Sequence, residues 1–319
     1  MSDIRLGGVV VATVMPFAED GVIDWPSYRR LLDYCAARDG VASVFVNGHA
    51  GEGAALSAAE RSRVITETIA HLGGRKPLLA GIIAYSTQEA IAEARSAKAA
   101  GADVAVLFPI PTMAAGGALT PKVPVAFVRA VLDAVDMPMS IFQYPIDSGL
   151  GYTSDTLVEI ARLPRVLAIK EGSDTMAAYE DTWRRVKEAA PHVSVLPSNF
   201  DWFLAQMAVG ADGILSGLAS LTPDLLVDLW RAAEALDLAA MRRVSDRLYP
   251  IVRAIYGTPP RMDMHTRIKV ALKHLGVIDC AAPRAPLLPV SDDVARRIAR
   301  VVDAARLADR VYPGRQAAQ

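Results

Sequence analysis

Short apolar runs alternate with longer amphipathic stretches along this chain. Eight runs stand out, at residues 9–14, 42–46, 78–83, 104–108, 139–144, 166–170, 193–196 and 213–216. Their near-continuous apolar character predicts parallel strands buried on both faces, because a strand with one wet face alternates apolar and polar positions. The stretches between them carry helix punctuation. Asp24, Ser57, Thr87, Thr120, Ser154 and Asp174 are candidate N-caps, and Ser57 with Glu60 reads as a capping box. A weak internal echo marks the helix-to-strand joints. Ala100-Gly101-Ala102-Asp103 precedes one run, Val209-Gly210-Ala211-Asp212 another, and Arg38-Asp39-Gly40 a third. In each, a glycine just past a helix supplies a left-handed cap.

Eight such units predict an α/β fold, the closed TIM (β/α)8 barrel. A doubly wound open sheet is the rival, but it would carry a glycine-rich turn after its first strand. Here the first run leads into Met15-Pro16-Phe17. From about residue 221 the strand pattern stops, and residues 225–236, 239–255, 266–275 and 292–307 read as helices. The last three form an extension. The expected organisation is a barrel over residues 1–235 with a C-terminal helical segment, 236–319, packed on it.

Composition narrows the classes. The chain has 319 residues, is 52% hydrophobic and carries a formal net charge of -1, which supports a large core. That charge gives no electrostatic case for nucleic acid or an anionic membrane. Cys35 and Cys280 suggest neither a disulfide framework nor a zinc motif, and the five histidines show no metal spacing. No run approaches the ~20 apolar residues of a membrane span. Residues 9–15 lack a basic n-region and a cleavage site, so a reducing cytoplasm is the expected compartment.

In a barrel of this kind chemistry sits at the C-terminal strand ends. The second run leads into Asn47-Gly48-His49-Ala50-Gly51-Glu52-Gly53, which reads either as an anion seat of backbone amides or as a tight turn. The fourth ends in Phe108-Pro109-Ile110-Pro111 and the fifth in Phe142-Gln143-Tyr144-Pro145. The seventh ends in Pro197-Ser198-Asn199 and the eighth in Ser216-Gly217. The sixth closes on Lys170, one of only seven lysines among 34 basic residues. Arginine cannot release its proton in a protein, whereas a desolvated lysine can. Lys170 is therefore either a surface residue opening a loop or a nucleophilic amine. The second role needs a pKa lowered from about 10.4 toward 7–8, roughly 4 kcal/mol. His49 and Tyr144 are candidate proton carriers, though each alone also fits a structural role. Asp263 and His265 fall at a helix start, where capping is the default reading.

These segments together resemble the dihydrodipicolinate synthase/N-acetylneuraminate lyase superfamily, the class I pyruvate-dependent aldolases. The resemblance runs from Thr13-Val14-Met15-Pro16-Phe17 through Gly48-His49-Ala50-Gly51-Glu52 and Ile169-Lys170-Glu171-Gly172-Ser173 to Gly210-Ala211-Asp212-Gly213 and Lys269. It implies that Lys170 forms a Schiff base with a 2-oxo acid, that no cofactor is needed, and that the chain is a homodimer or homotetramer. It also exposes departures. The family's relay tyrosine in its Y-N-x-P segment is Phe142 here, and the hydroxyl residues of its G-T/S-T-G-E loop are His49 and Ala50. Its P-Y-Y segment is Pro109-Ile110-Pro111, and its carboxylate-holding arginine is Asp147.

The expected function is a Schiff-base lyase, an aldolase or dehydratase, and not a true dihydrodipicolinate synthase. Lys170, Tyr144 and His49 are the expected catalytic residues. Gly48, Ala50, Phe142, Ser198, Ser216 and Gly217 are the expected substrate contacts. A metal-dependent pyruvate aldolase and a non-catalytic 2-oxo acid-binding barrel are the rivals.

Overall fold

The computed structural model describes residues 4–74, 76–198 and 200–310. Eight strands, β1 (Gly8–Ala12), β2 (Val41–Val46), β3 (Leu78–Ile82), β4 (Val104–Leu107), β5 (Met139–Phe142), β6 (Val166–Glu171), β7 (Ser194–Pro197) and β8 (Gly213–Ser216), follow the eight apolar runs. They form one sheet in the order β7-β6-β5-β4-β3-β2-β1-β8, and every ladder pair is parallel. This is the TIM barrel.

Helices return the chain between strands: α1 (Trp25–Leu31), α2 (Ala58–Leu72), α3 (Thr87–Ala99), α4 (Lys122–Ala134), α5 (Ser154–Ala161), α6 (Met176–Ala189), α7 (Phe203–Val209) and α8 (Pro223–Glu234). Beyond them lie α9 (Leu238–Tyr256), α10 (Met264–His274) and α11 (Asp292–Ala304). Of the predicted 236–319 segment, residues 311–319 lie outside the described residues.

The Gly-Ala-Asp echo does more than end helices. Gly101 and Gly210 have φ of 101 and 138, backbone that glycine adopts without penalty. The aspartates then repeat one device. The Asp103 carboxylate accepts from the Leu78 amide at 2.8 Å while its own amide donates to Leu78 O at 2.9 Å. The Asp212 carboxylate accepts from Val195 N at 2.8 Å, and its amide donates to Val195 O at 3.1 Å. The second copy joins β7 to β8, where the described residues form no ladder, so one side chain helps to close the ring.

Ser57 and Glu60 form the predicted capping box, and Asp24 caps α1. Three other caps shift by one residue. Ser86, Thr153 and Thr175 accept the N3 amides in place of Thr87, Ser154 and Asp174. Each pair offers two capping side chains in sequence, and the one whose backbone is extended takes the role. Thr120 does not cap α4, whose N-cap residue is Pro121, without a side-chain cap. Thr175, not Asp174, caps α6. Among the described residues no helix is long and apolar enough to cross a membrane.

Candidate active site

A cavity of about 270 Å³ opens at the C-terminal strand ends, where the barrel interior meets the βα loops. Lys170, on the inward face of β6, reaches into it. The residue is 8% exposed, and its amine makes no hydrogen bond among the described residues. Burial lowers its pKa to about 7, and the neighbouring Glu171 opposes the shift. A drop of that size is worth roughly 5 kcal/mol against the charged form. Glu171 alternates to the other face of β6, where it is fully buried and pushed up to about 7, chiefly by desolvation.

Aromatic rings frame the amine. Lys170 Nζ lies 4.0 Å from the Phe142 ring centroid. Phe142 stacks on Phe108 at 4.3 Å, and the His49 ring sits 5.0 Å and 5.2 Å from these two. Tyr144 completes the group, 4.7 Å from Phe142 and hydrogen bonded to His49, Oη to Nε2 at 2.6 Å. The strand expected through residue 144 ends at Phe142, so Tyr144 lies on the following loop. Gln143 steadies that loop: its amide nitrogen donates to Tyr152 O at 2.7 Å and its carbonyl accepts from Tyr152 N at 2.9 Å. Burial and the Lys170 charge lower the His49 pKa to about 4, while burial raises that of the Tyr144 phenol. At neutral pH a neutral imidazole and a neutral phenol share one hydrogen bond.

The loop after β2 is held from below. Asn47 and Glu52 both adopt left-handed backbone, with φ of 59 and 49, which is uncommon outside glycine. Asn47 Nδ2 donates to Arg61 O at 3.0 Å. Glu52 is buried in an ion pair with Lys269 of α10 and accepts from Arg284 N at 2.8 Å. Lys269 also donates to Ala282 O at 2.8 Å and Met15 O at 3.3 Å. Two residues of the resemblance, far apart in sequence, thus meet as one buried pair that ties the loop to the C-terminal segment.

That segment supplies a whole wall of the cavity. Tyr256 at the end of α9, and Arg261, Met264 and His265 around the start of α10, line it. Arg261 donates to Asp174 at 2.6 Å and lies 3.7 Å from Asp201, bridging the loops after β6 and β7. The capping reading of Asp263 and His265 does not hold. Asp263 is the N-cap residue but its side chain caps nothing, pairing instead with Arg267 at 3.7 Å. His265 faces the cavity, its pKa lowered to about 3 by burial and then by His49, Lys170 and Lys269.

The cavity brings together His49, Ala50, Phe142, Tyr144, Lys170, Ser198, Ser216 and Gly217 of the predicted site. Gly48 is not among the lining residues, and Asn199 lies outside the described residues. Asp147 is exposed and does not line the cavity, so its charge does not meet the reacting centre as its place in the resemblance implied. Sequence reasoning missed Tyr256, Arg261 and His265. Their only signal was a polar cluster at a helix start, and capping explained it equally well. Among the described residues no group of three or more His, Cys, Asp or Glu side chains is placed to hold a metal ion.

A buried amine of lowered pKa thus faces an apolar box at the mouth of the barrel. Residues 5–305 match the Dihydrodipicolinate synthetase family. The 4-hydroxy-tetrahydrodipicolinate synthase of Leptothrix cholodnii is 31% identical over 286 residues, 89% of this chain and 92% of its own. The dihydrodipicolinate synthase structure from Bacteroides thetaiotaomicron has a TM-score of 0.85 at 25% identity, covering 95% of this chain and 99% of its own. YagE, an Escherichia coli K12 prophage protein solved in complex with pyruvate, has a TM-score of 0.84 at 24% identity over 95% and 100% of the two chains. The last likeness shows the fold alone. The chain belongs to the dihydrodipicolinate synthetase family, whose members are Schiff-base lyases.

Proposed function

We propose that this protein is a Schiff-base lyase, an aldolase or dehydratase, acting on pyruvate or a longer 2-oxo acid. The observation that carries the reading is Lys170, a desolvated amine with a pKa near 7, beside the Tyr144–His49 hydrogen bond. The neutral amine attacks the ketone carbon, water leaves, and the resulting iminium withdraws electrons from the adjacent carbon. Proton transfers at that carbon and at the departing oxygen need a carrier. Tyr144 and His49 together can take up a proton at one end and release one at the other, since both groups start neutral. Family resemblance supports the lysine and the backbone seat at His49-Ala50 for the 2-oxo acid carboxylate.

The same resemblance argues against dihydrodipicolinate synthesis. The position of the family's relay tyrosine carries Phe142, which stacks on Phe108 and has no proton to give. We read the His49–Tyr144 pair as a rebuilt relay one step further out. A homo-oligomer in a reducing cytoplasm is the assembly and setting we expect. The deciding experiment is incubation with pyruvate or a panel of 2-oxo acids, then borohydride and peptide mapping. An adduct on the Lys170 peptide is expected. Its absence with every 2-oxo acid would defeat the reading.

A further inference from the structure

The C-terminal wall holds one side chain that the proposed chemistry does not use. His265 sits in the first turn of α10 with its ring toward the cavity, and neither ring nitrogen has a hydrogen-bond partner among the described residues. Gly217, just past β8, leaves the space this ring needs. A Cβ placed on Gly217 would come within 3.4 Å of both Cδ2 and Nε2 of His265, and within 3.3 Å of the Ala50 Cβ. The His265 ring and Ala50 therefore border one small volume between the ends of β2 and β8. The His49 and Ala50 amides also donate no hydrogen bond among the described residues.

The nitrogen groups around that volume can donate when neutral. Lys170, His49 and His265 line the cavity; Lys170 disfavours protonation of His49, and both disfavour protonation of His265. The one carboxylate among the lining residues is Asp174, and it is paired with Arg261. Glu52 is committed to Lys269. The site offers N–H donors, and among the described residues its one lining carboxylate is already engaged by Arg261.

We infer that His265 is a specificity-determining residue that donates a hydrogen bond from its ring to the carboxylate of the bound 2-oxo acid. With the His49 and Ala50 amides it forms a three-donor seat, one part of which comes from outside the barrel. The inference rests on the 2-oxo acid reading above and adds which part of the molecule selects for the acid. A neutral carboxamide in the same place would bring its own donors against those of the seat, which leaves like groups unpaired.

Calorimetric titration with pyruvate and with pyruvamide tests this in the wild type, His265→Leu and His265→Gln. The wild type should prefer pyruvate by about tenfold or more, the value of one charge-assisted hydrogen bond. His265→Leu should lose most of that preference, with pyruvamide affinity within about twofold of wild type, and His265→Gln should keep it by supplying a donor. Parallel weakening of both ligands, no change in either, a wild type indifferent between acid and amide, or a wild type that binds neither ligand would each overturn the inference. Borohydride mapping of the same samples separates the two readings. A Lys170 adduct with undiminished acid preference in His265→Leu sinks only the His265 assignment. Acid-selective binding that depends on His265, without a Lys170 adduct, sinks only the lyase.

Discussion

Two walls face each other across the cavity. One comes from the barrel: Lys170 on β6, Phe142 on β5, Tyr144 just past it, and His49 after β2. The other comes from the C-terminal segment: Tyr256, Arg261 and His265 on the approach to α10. The barrel wall is placed by strands whose register leaves little freedom, because a one-residue slip would turn each side chain to the opposite face. The C-terminal wall is placed by helix packing, and it is anchored to the barrel through the buried Glu52–Lys269 pair and the Arg261–Asp174 bridge. In the function proposed above, chemistry concentrates on the rigid wall, and recognition falls to the wall that packing can re-aim.

Changing the barrel wall should have the largest effects. Lys170→Met should abolish borohydride trapping and turnover. It should also raise stability. The native amine loses its proton near pH 7, while that of the unfolded chain does so near 10.5. Between those values the unfolded state holds the extra proton, so native stability rises with pH across that window and is most penalised at pH 7 and below. Removing the amine should stabilise the fold by about 1 kcal/mol or more at pH 7 and flatten that pH dependence, as thermal unfolding at pH 7 and 9 would show. In the wild type, imine trapping at low 2-oxo acid should fall about tenfold per pH unit below about 7 and level off above it.

Tyr144→Phe and His49→Gln come next. Each should lower turnover by about 10²- to 10⁴-fold, the usual weight of one proton carrier, while the Lys170 adduct still forms. Unchanged turnover would show that the 2.6 Å hydrogen bond is structural. The anchor between the walls should follow. Glu52→Gln leaves Lys269 without its counter-charge and should cost roughly 3–5 kcal/mol in denaturant unfolding, with Glu52→Gln/Lys269→Met recovering part of that loss. The smallest effect belongs to the other anchor. Arg261 is 48% exposed, so Arg261→Ala should change stability by less than about 1 kcal/mol in the same measurement. A larger loss would mean that the mouth bridge, not the buried pair, holds the C-terminal wall.

The barrel wall was legible before the fold. Eight apolar runs gave eight strands, and a lysine at the end of one, within Ile-Lys-Glu-Gly-Ser, was conspicuous in an arginine-rich chain. The meeting of His49 and Tyr144 could also be anticipated, since their strand ends open on the same face of a barrel. Three details could not. Which of two adjacent capping residues takes the cap depends on backbone conformation, and here Thr175 takes it while Asp174 pairs with Arg261. Asp147 stands where the resemblance has an arginine that holds a carboxylate, yet it is exposed and does not line the cavity. His265 looked like a helix-start residue because only packing brings that start against β2 and β8.

Local pattern and chemistry were thus the sequence's own contribution: strand count, parallel pairing, the glycine-aspartate joints and the lysine suited to lose its proton. They are readable because each depends on neighbours a few residues away or on a repeating period. The tertiary structure alone decided how far that lysine's pKa falls, that Glu52 and Lys269 pair across 217 positions, and that a histidine from α10 borders the barrel's cavity. Desolvation and long-range contact are properties of the packed whole, so no stretch of chain carries them by itself.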